Sequence, residues 1–496
     1  MRNSIHRVII LGVILLLHSK LYAQYDTGYV AIDIAQMEDY DLYPSYDVYL
    51  QMMERFAAEY PEICKLVEIG ESVQHRKLLA LKISDNVEEE EYHEPEFLYS
   101  STIHGDELCG FNMMLRLIDT LLRGYGNDSY LTNLVDNIQI YINPLANPDG
   151  VYTDDNNFVT NSTRENANGV DLNRSFPTVT NSQLNVYEPE VKAMMDFADS
   201  HYFSLSANIH CGSEIVNYPW DSFYAEELFL PDNYWFEQIC SKYVETARQI
   251  DPEYMVSDIA QNGYVFGSNW YKIAGGRQDY MNYFHRCREI TIELSNSYIL
   301  HPDCLDEFWI KNRTSLINLI GECLNGVTGR VTDIYGNHIE NAEVIVLDKD
   351  RQYSTVFTNA DGYYFRYLPA DSVYEFAVYA DGYETMNQVV ATQNNTQVKL
   401  DFMLRDGTAN YPLSSLEDTP KEITFLARCT DGNIVVESSK PITDLVLVTC
   451  DGRVLLKSKP QNLKTEYTLN NCCHGICVIK ANCGGKSFTH KLFITK

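Results

Sequence analysis

Past its first two dozen residues the chain has no apolar run approaching the roughly 20 residues that a membrane-spanning helix needs, so no transmembrane segment is expected. Positive charge is scarce: 38 Lys and Arg stand against 69 Asp and Glu, a formal net charge of -31. That balance argues against nucleic acid or an anionic membrane as a partner and would draw in cationic peptides, although acidic runs such as residues 88–91 read as solvated surface. The 13 cysteines lack an even count, which leaves at least one unpaired unless it bridges to another molecule. Cys472, Cys473, Cys477 and Cys483 crowd the C-terminal stretch, where local disulfides or free thiols are expected rather than a metal site.

What is present is globular in composition, 45% hydrophobic with 22% charged, and too long for one typical domain. Arg2 and Arg7, the apolar residues 8–17 and the small Ala23 read as a secretory signal peptide over residues 1–23, so an exported, soluble mature protein is expected. Only about 20 residues separate that cleavage point from the first amphipathic helix, and no inhibitory prodomain is expected in so short a segment. Strand-like and helix-like patterns then alternate to about Cys323, which predicts one α/β domain over residues 24–323. From Gly326 the pattern changes to short strands punctuated by Gly336-Asn337, Asp361-Gly362 and Asp381-Gly382 equivalents of turn chemistry, predicting a small all-β sandwich over residues 326–404. A linker over residues 405–422 and a second small all-β sandwich over residues 423–496 follow. No repeat spans the two sandwiches.

The chain is organised around a corner at residues 104–107, where the strand-like residues 96–101 give way to a helix with Leu108, Phe111, Leu115, Ile118 and Leu122 at spacings of three and four. His104 and Glu107 can place one imidazole nitrogen and one carboxylate oxygen on the same small cation. His210, at the end of the strand-like residues 203–209, is the expected third ligand of a zinc site that keeps a position open for water. Both ends of strands would then meet where open α/β sheets bind ligands. His93 and Glu96 share the spacing but sit in an acidic, Pro95-containing segment with no helix after it, and read as solvated loop. Glu293 alternates with Ile290, Ile292 and Leu294, which points its carboxylate from the polar face of a strand; a solvent-facing glutamate fits the same pattern.

Five segments carry a family: HGDE at 104–107, RENANGVDLNRSFP at 164–177, SANIHCGSEIVNYPWD at 206–221, WYKIAGGRQDY at 270–280 and EITIELS at 289–295. In these the chain resembles the zinc metallocarboxypeptidases, within them the group of carboxypeptidases N, E, M and D, and the resemblance implies a mixed-sheet catalytic domain that removes C-terminal residues from peptides and proteins. It implies one Zn2+ held by His104, Glu107 and His210, with Glu293 as general base and Arg164 stabilising the oxyanion. It assigns the substrate's terminal carboxylate to Asn173, Arg174 and Tyr271, and to Asp171 a hydrogen bond from a ligand histidine, a turn or helix-cap aspartate being the plain alternative. Asp221, eleven residues after His210, and Gln278 would form the side-chain pocket. There Asp221 favours C-terminal lysine or arginine, while Arg277, where methionine is usual, would repel a basic side chain or neutralise Asp221. Residues 326–404 resemble the transthyretin-like, regulatory-like sandwich of the same group. DGRVL at 451–455 and the final strands resemble a type IX secretion sorting domain, with the secretion machinery as partner and an accessory sandwich without a sorting role as the alternative. A peptidoglycan stem-peptide hydrolase of the same fold and a non-enzymatic peptide-binding protein are the rival functions.

Overall fold

A computed structural model describes residues 29–179, 186–412 and, further on, 425–430, 433–438, 442–449, 453–460, 462, 464–468, 475–483 and 486–494. The expected signal peptide, most of the linker and Cys472 and Cys473 lie outside the described residues. The chain divides into two compact units, Met1–Ser414 and Ser415–Lys496. None of the helices among the described residues is long and apolar enough to cross a membrane.

In the first unit a short parallel pair, β1 (Val30–Ala31) with β2 (Tyr43–Pro44), leads into the helix Tyr46–Glu59. Ser45 caps that helix by accepting a hydrogen bond from Val48 N–H at 3.3 Å, and Pro61 disfavours helical backbone at Tyr60 and so ends it. Eight strands follow: β3 (Cys64–Glu71), β4 (Lys77–Ile83), β5 (Glu96–Ser101), β6 (Gln139–Asn143), β7 (Phe203–His210), β8 (Ser213–Tyr218), β9 (Tyr264–Phe266) and β10 (Arg288–Ser295). They form one mixed sheet in the order β3-β4-β6-β5-β7-β10-β8-β9. Its centre, β6-β5-β7-β10, is parallel, and antiparallel pairs flank it. The central strands are covered on both faces, so every residue of β5, β6 and β10 is buried.

Thr291, Glu293 and Ser295 lie on a buried strand, which sets aside the solvent-facing alternative for Glu293. One expectation is corrected. Glu96 is not solvated loop: it opens β5, accepts the Tyr202 N–H at 2.9 Å and pairs with His201 at 3.2 Å. The register of β5 on β7 sets Glu96 beside Phe203 and brings His201 to it. His93 does remain exposed.

The helix Cys109–Gly124 buries Phe111, Leu115, Ile118 and Leu122 against this sheet, as their spacing predicts. Gly110 lets it dock, since a Cβ there would lie 2.6 Å from Ile209 Cγ2 on β7. From Gly326 on, two four-stranded sheets enclose a separate core that includes Val331, Val344, Phe376 and Phe402. This sandwich joins the α/β layer through buried charge. Asp232 meets Arg288 at 2.7 Å, Arg366 at 2.8 Å and Lys349 at 3.2 Å, and Arg366 also meets Asp350. Tyr367 stacks on Trp235 beside this network. All cysteines of the first unit carry free thiols.

The second unit holds a three-stranded sheet, in the order Phe425–Thr430, Asn433–Ser438, Lys464–Thr468, and a four-stranded one, in the order Val454–Ser458, Ile442–Thr449, Gly475–Cys483, Lys486–Ile494. Ile434, Val436, Leu445, Leu447 and Ile479 lie in its core.

Candidate active site

His210 ends β7 and His104 follows β5 by three residues, so adjacent parallel strands deliver both imidazoles to one edge of the sheet. Glu107 stands between them. One carboxylate oxygen lies 2.7 Å from His104 Nδ1 and the other 2.7 Å from His210 Nδ1. The ligand atoms of the three residues fall within 4.8 Å of one another, and all three are buried.

The outer nitrogens decide what these inner ones can do. Asp171 Oδ1 lies 3.1 Å from His104 Nε2 and accepts its proton's hydrogen bond, which leaves the lone pair on Nδ1. The same aspartate accepts from Asn173 N–H and caps the short helix Leu172–Arg174, so it fills the structural role and the histidine contact together. The Asn208 amide lies 2.8 Å from His210 Nε2, while its oxygen is buried without a partner. With its amide oxygen turned to that nitrogen, Asn208 accepts the His210 Nε2 proton, which likewise leaves the His210 lone pair on Nδ1. Two nitrogen lone pairs thus converge on a carboxylate, a donor set that repels itself until a cation sits among them. Arg164 already leans toward that place, with Nη1 3.1 Å from His104 Nδ1 and 3.4 Å from Glu107 Oε1, and its Nε donates to Asp171 Oδ2 at 2.9 Å. Such a buried set of two imidazoles and a carboxylate fits zinc.

The charges respond accordingly. Burial would raise the Glu107 carboxyl, but His210 and His104 beside it hold it well below the usual carboxylate range. Asp171 is likewise held low by His104 and Arg164 against the effect of burial. Glu293 moves the other way, pushed well up by burial and by the Glu107 charge.

Glu293 reaches the same place because β10 pairs with β7 in a register that sets it directly beside His210. A cavity of about 220 Å³ opens there, lined by His104, Glu107 and His210 and by Arg164, Asn173, Asp221, Tyr271 and Glu293. Residues 49–315 match the family model for zinc carboxypeptidases, and residues 326–405 match that for the carboxypeptidase regulatory-like domain. The chain belongs to the zinc carboxypeptidase family. It is 34% identical to carboxypeptidase D of Homo sapiens over 376 residues, 73% of this chain but only 26% of that protein. To carboxypeptidase M of Mus musculus it is 34% identical over 370 residues, covering 71% of this chain and 82% of that one. Zinc carboxypeptidases use a single catalytic Zn2+.

In this member of the family the other residues expected at the site stand at or near the cavity. Asn173 accepts the Arg277 N–H at 2.8 Å, and its amide lies 3.5 Å from His210 Nε2. Arg174 lies next to it, with Nη1 donating to the Asn173 carbonyl at 2.8 Å. Tyr271 is 48% exposed at the cavity mouth, where it meets Trp270 edge-on. Asp221 is buried, and its Oδ1 accepts from Gln278 Nε2 at 3.0 Å. Burial first, then the neighbouring Asp279, pushes its carboxyl well up. Cys211 donates its backbone N–H to Glu107 Oε2 at 2.9 Å, while its thiol lies with Cys109.

Two contributors escaped the sequence reading. Asn208 sits two residues before His210 on the same strand face, a period-two signal that marks it in retrospect. Glu289 meets Arg277 at 3.2 Å, both fully within the protein; it lies on the same face of β10 as Glu293, four residues earlier.

Proposed function

We propose that this chain is a zinc-dependent carboxypeptidase of peptides and proteins, exported from the cell, that prefers C-terminal lysine or arginine. His104, Glu107 and His210 hold the ion. Bound there, zinc supplies Lewis acidity and lowers the pKa of water to roughly 7. Glu293 takes the proton of the attacking water and returns it to the departing amine; a carboxyl raised by burial suits both halves of that task. Arg164 donates to the carbonyl oxygen as negative charge develops on it. Asn173, Arg174 and Tyr271 bind the terminal carboxylate, which a guanidinium can meet with two parallel hydrogen bonds. Asp171 keeps His104 in the tautomer that offers Nδ1.

One observation carries the basic preference. Arg277, the residue that could have cancelled the pocket, turns its guanidinium to Glu289, which leaves the Asp221 carboxyl at the cavity, hydrogen-bonded to the amide of Gln278 and with the Arg174 charge acting on it. A buried carboxyl that resists ionising alone ionises readily beside an ammonium or guanidinium, so a cationic side chain gains from the pocket what a neutral one does not. The test compares peptides ending in Arg, Lys, Leu and Phe on wild type and Asp221→Ala. The variant should lose most of its rate on the basic pair alone. A wild type that prefers Leu or Phe would sink the preference.

The domain reading extends this. Residues 1–23 direct export, residues 24–323 form the catalytic domain, residues 326–404 are a transthyretin-like sandwich, and residues 423–496, after the linker 405–422, carry the protein through type IX secretion. The second unit has a core of its own. Deleting residues 423–496 should leave peptidase activity intact and hold the protein in the periplasm; normal surface delivery of the shortened chain would refute a sorting role.

A further inference from the structure

The acidic segment before β5 gathers ligand atoms of its own. One atom each from Glu91, His93 and Glu94 lies within 4.8 Å of the others. Glu94 is only 6% exposed, and its Oε2 is buried with no hydrogen-bond partner. Asp85 Oδ1 is buried without a partner as well. Two carboxylates in such proximity repel, and a buried one with nothing to accept from is costly. Lys82 is engaged elsewhere: its Nζ donates to the Glu89 carbonyl at 2.7 Å and lies 3.5 Å from Glu90.

We propose that Glu91, His93 and Glu94, backed by Asp85, form a second divalent-cation site, separate from the catalytic one, that fastens this segment to the sandwich. Carboxylate oxygens in the majority select a hard ion such as Ca2+ or Mn2+, and exposed His93 adds a nitrogen that suits Mn2+ better. The place is remote from catalysis, because the cluster precedes β5 and the zinc ligands follow it, at opposite ends of a strand roughly 20 Å long. It is also a joint. The Tyr92 carbonyl accepts from Asn359 Nδ2 of the sandwich at 2.7 Å, and the His93 ring lies 6.3 Å from that of Tyr363. An ion here orders residues that hold the two layers together.

The test titrates zinc-loaded, full-length protein with Ca2+ and, separately, Mn2+, following heat and the thermal midpoint. Wild type should bind one equivalent beyond its zinc and melt higher with it. Glu94→Gln should bind at least tenfold more weakly, should melt no lower than wild type without added ion because it removes the repulsion, and should gain nothing when the ion is added. Glu91→Gln, at a half-buried position, repeats the measurement should Glu94→Gln not fold. His93→Ala should weaken Mn2+ more than Ca2+. A wild type with no cation-dependent heat or midpoint shift, or variants that bind as wild type does, would overturn the site.

Discussion

Glu293 and His210 are separated by 83 positions in sequence and none in register, since β10 and β7 pair them directly. The consequence at the level of single residues is that removing the carboxylate's basicity leaves its neighbours in place. Glu293→Gln should therefore retain zinc, measured by metal analysis, while kcat falls by roughly 100-fold or more; a near-wild-type rate would assign the base elsewhere. Asn208 acts one step further out, on the tautomer of His210. Asn208→Leu should loosen zinc by roughly 10- to 100-fold in chelator competition, the usual cost of losing an outer partner of a ligand histidine, and Asn208→Asp should restore most of that affinity. Asp171 and His104 were legible as a pair only through motif resemblance, because a turn aspartate and a histidine partner look alike in sequence, and here one carboxylate does both.

Among the elements, the helix Cys109–Gly124 illustrates how far periodicity reaches. The three-and-four spacing of its apolar residues identified it and the face it buries, but not how closely it could approach the sheet. That distance depends on Gly110, whose missing Cβ admits Ser101 Oγ and Ile209 Cγ2 from two strands. Gly110→Ala should lower stability by about 1–3 kcal/mol through overpacking, read from urea midpoints, with zinc affinity reduced as well because His104 and Glu107 lie immediately before the helix. The strand β10 shows the reverse case. Its alternation left a wet face open as an alternative, yet it runs between β7 and β8 with every residue buried, and Thr291 and Glu293 on the polar face line the active-site cavity. Alternation reports two chemically different faces and is silent on whether the polar one meets solvent.

Across the first unit, stability depends on the charge network that joins the α/β layer to the sandwich. Burial alone would raise the Asp232 carboxyl, but Arg366, Lys349 and Arg288 hold it far below its ordinary value. A carboxyl depressed on folding contributes stability that is present above its unfolded pKa, about 3.9, and is lost as pH falls below that toward the folded value. Asp232→Asn should cost roughly 3–5 kcal/mol at pH 7, where it strands buried cations, and the gap to wild type should narrow near pH 3. Urea midpoints at the two pH values check this; an equal gap at both would show that the network contributes no proton-linked stability.

Sequence alone determined the parts whose information is local or carried by spacing. These are the strand before His104, the helix after it, the change to short strands at Gly326, and the five segments that mark a zinc carboxypeptidase. Backbone preference and hydrophobic period act over a few residues, so they can be read without knowing what lies opposite. Tertiary structure decided everything that depends on partners brought from afar: Glu293 beside His210, Asn208 behind it, Glu96 against His201, and Arg277 drawn to Glu289 and away from Asp221. It also set Glu91, His93 and Glu94 together, in a segment whose sequence reads as ordinary acidic surface. Pairing between strands and the burial of a charge are properties of the packed sheet, and a one-residue change of register would have sent the strand residues Glu96, Asn208, Glu289 and Glu293 to the other face.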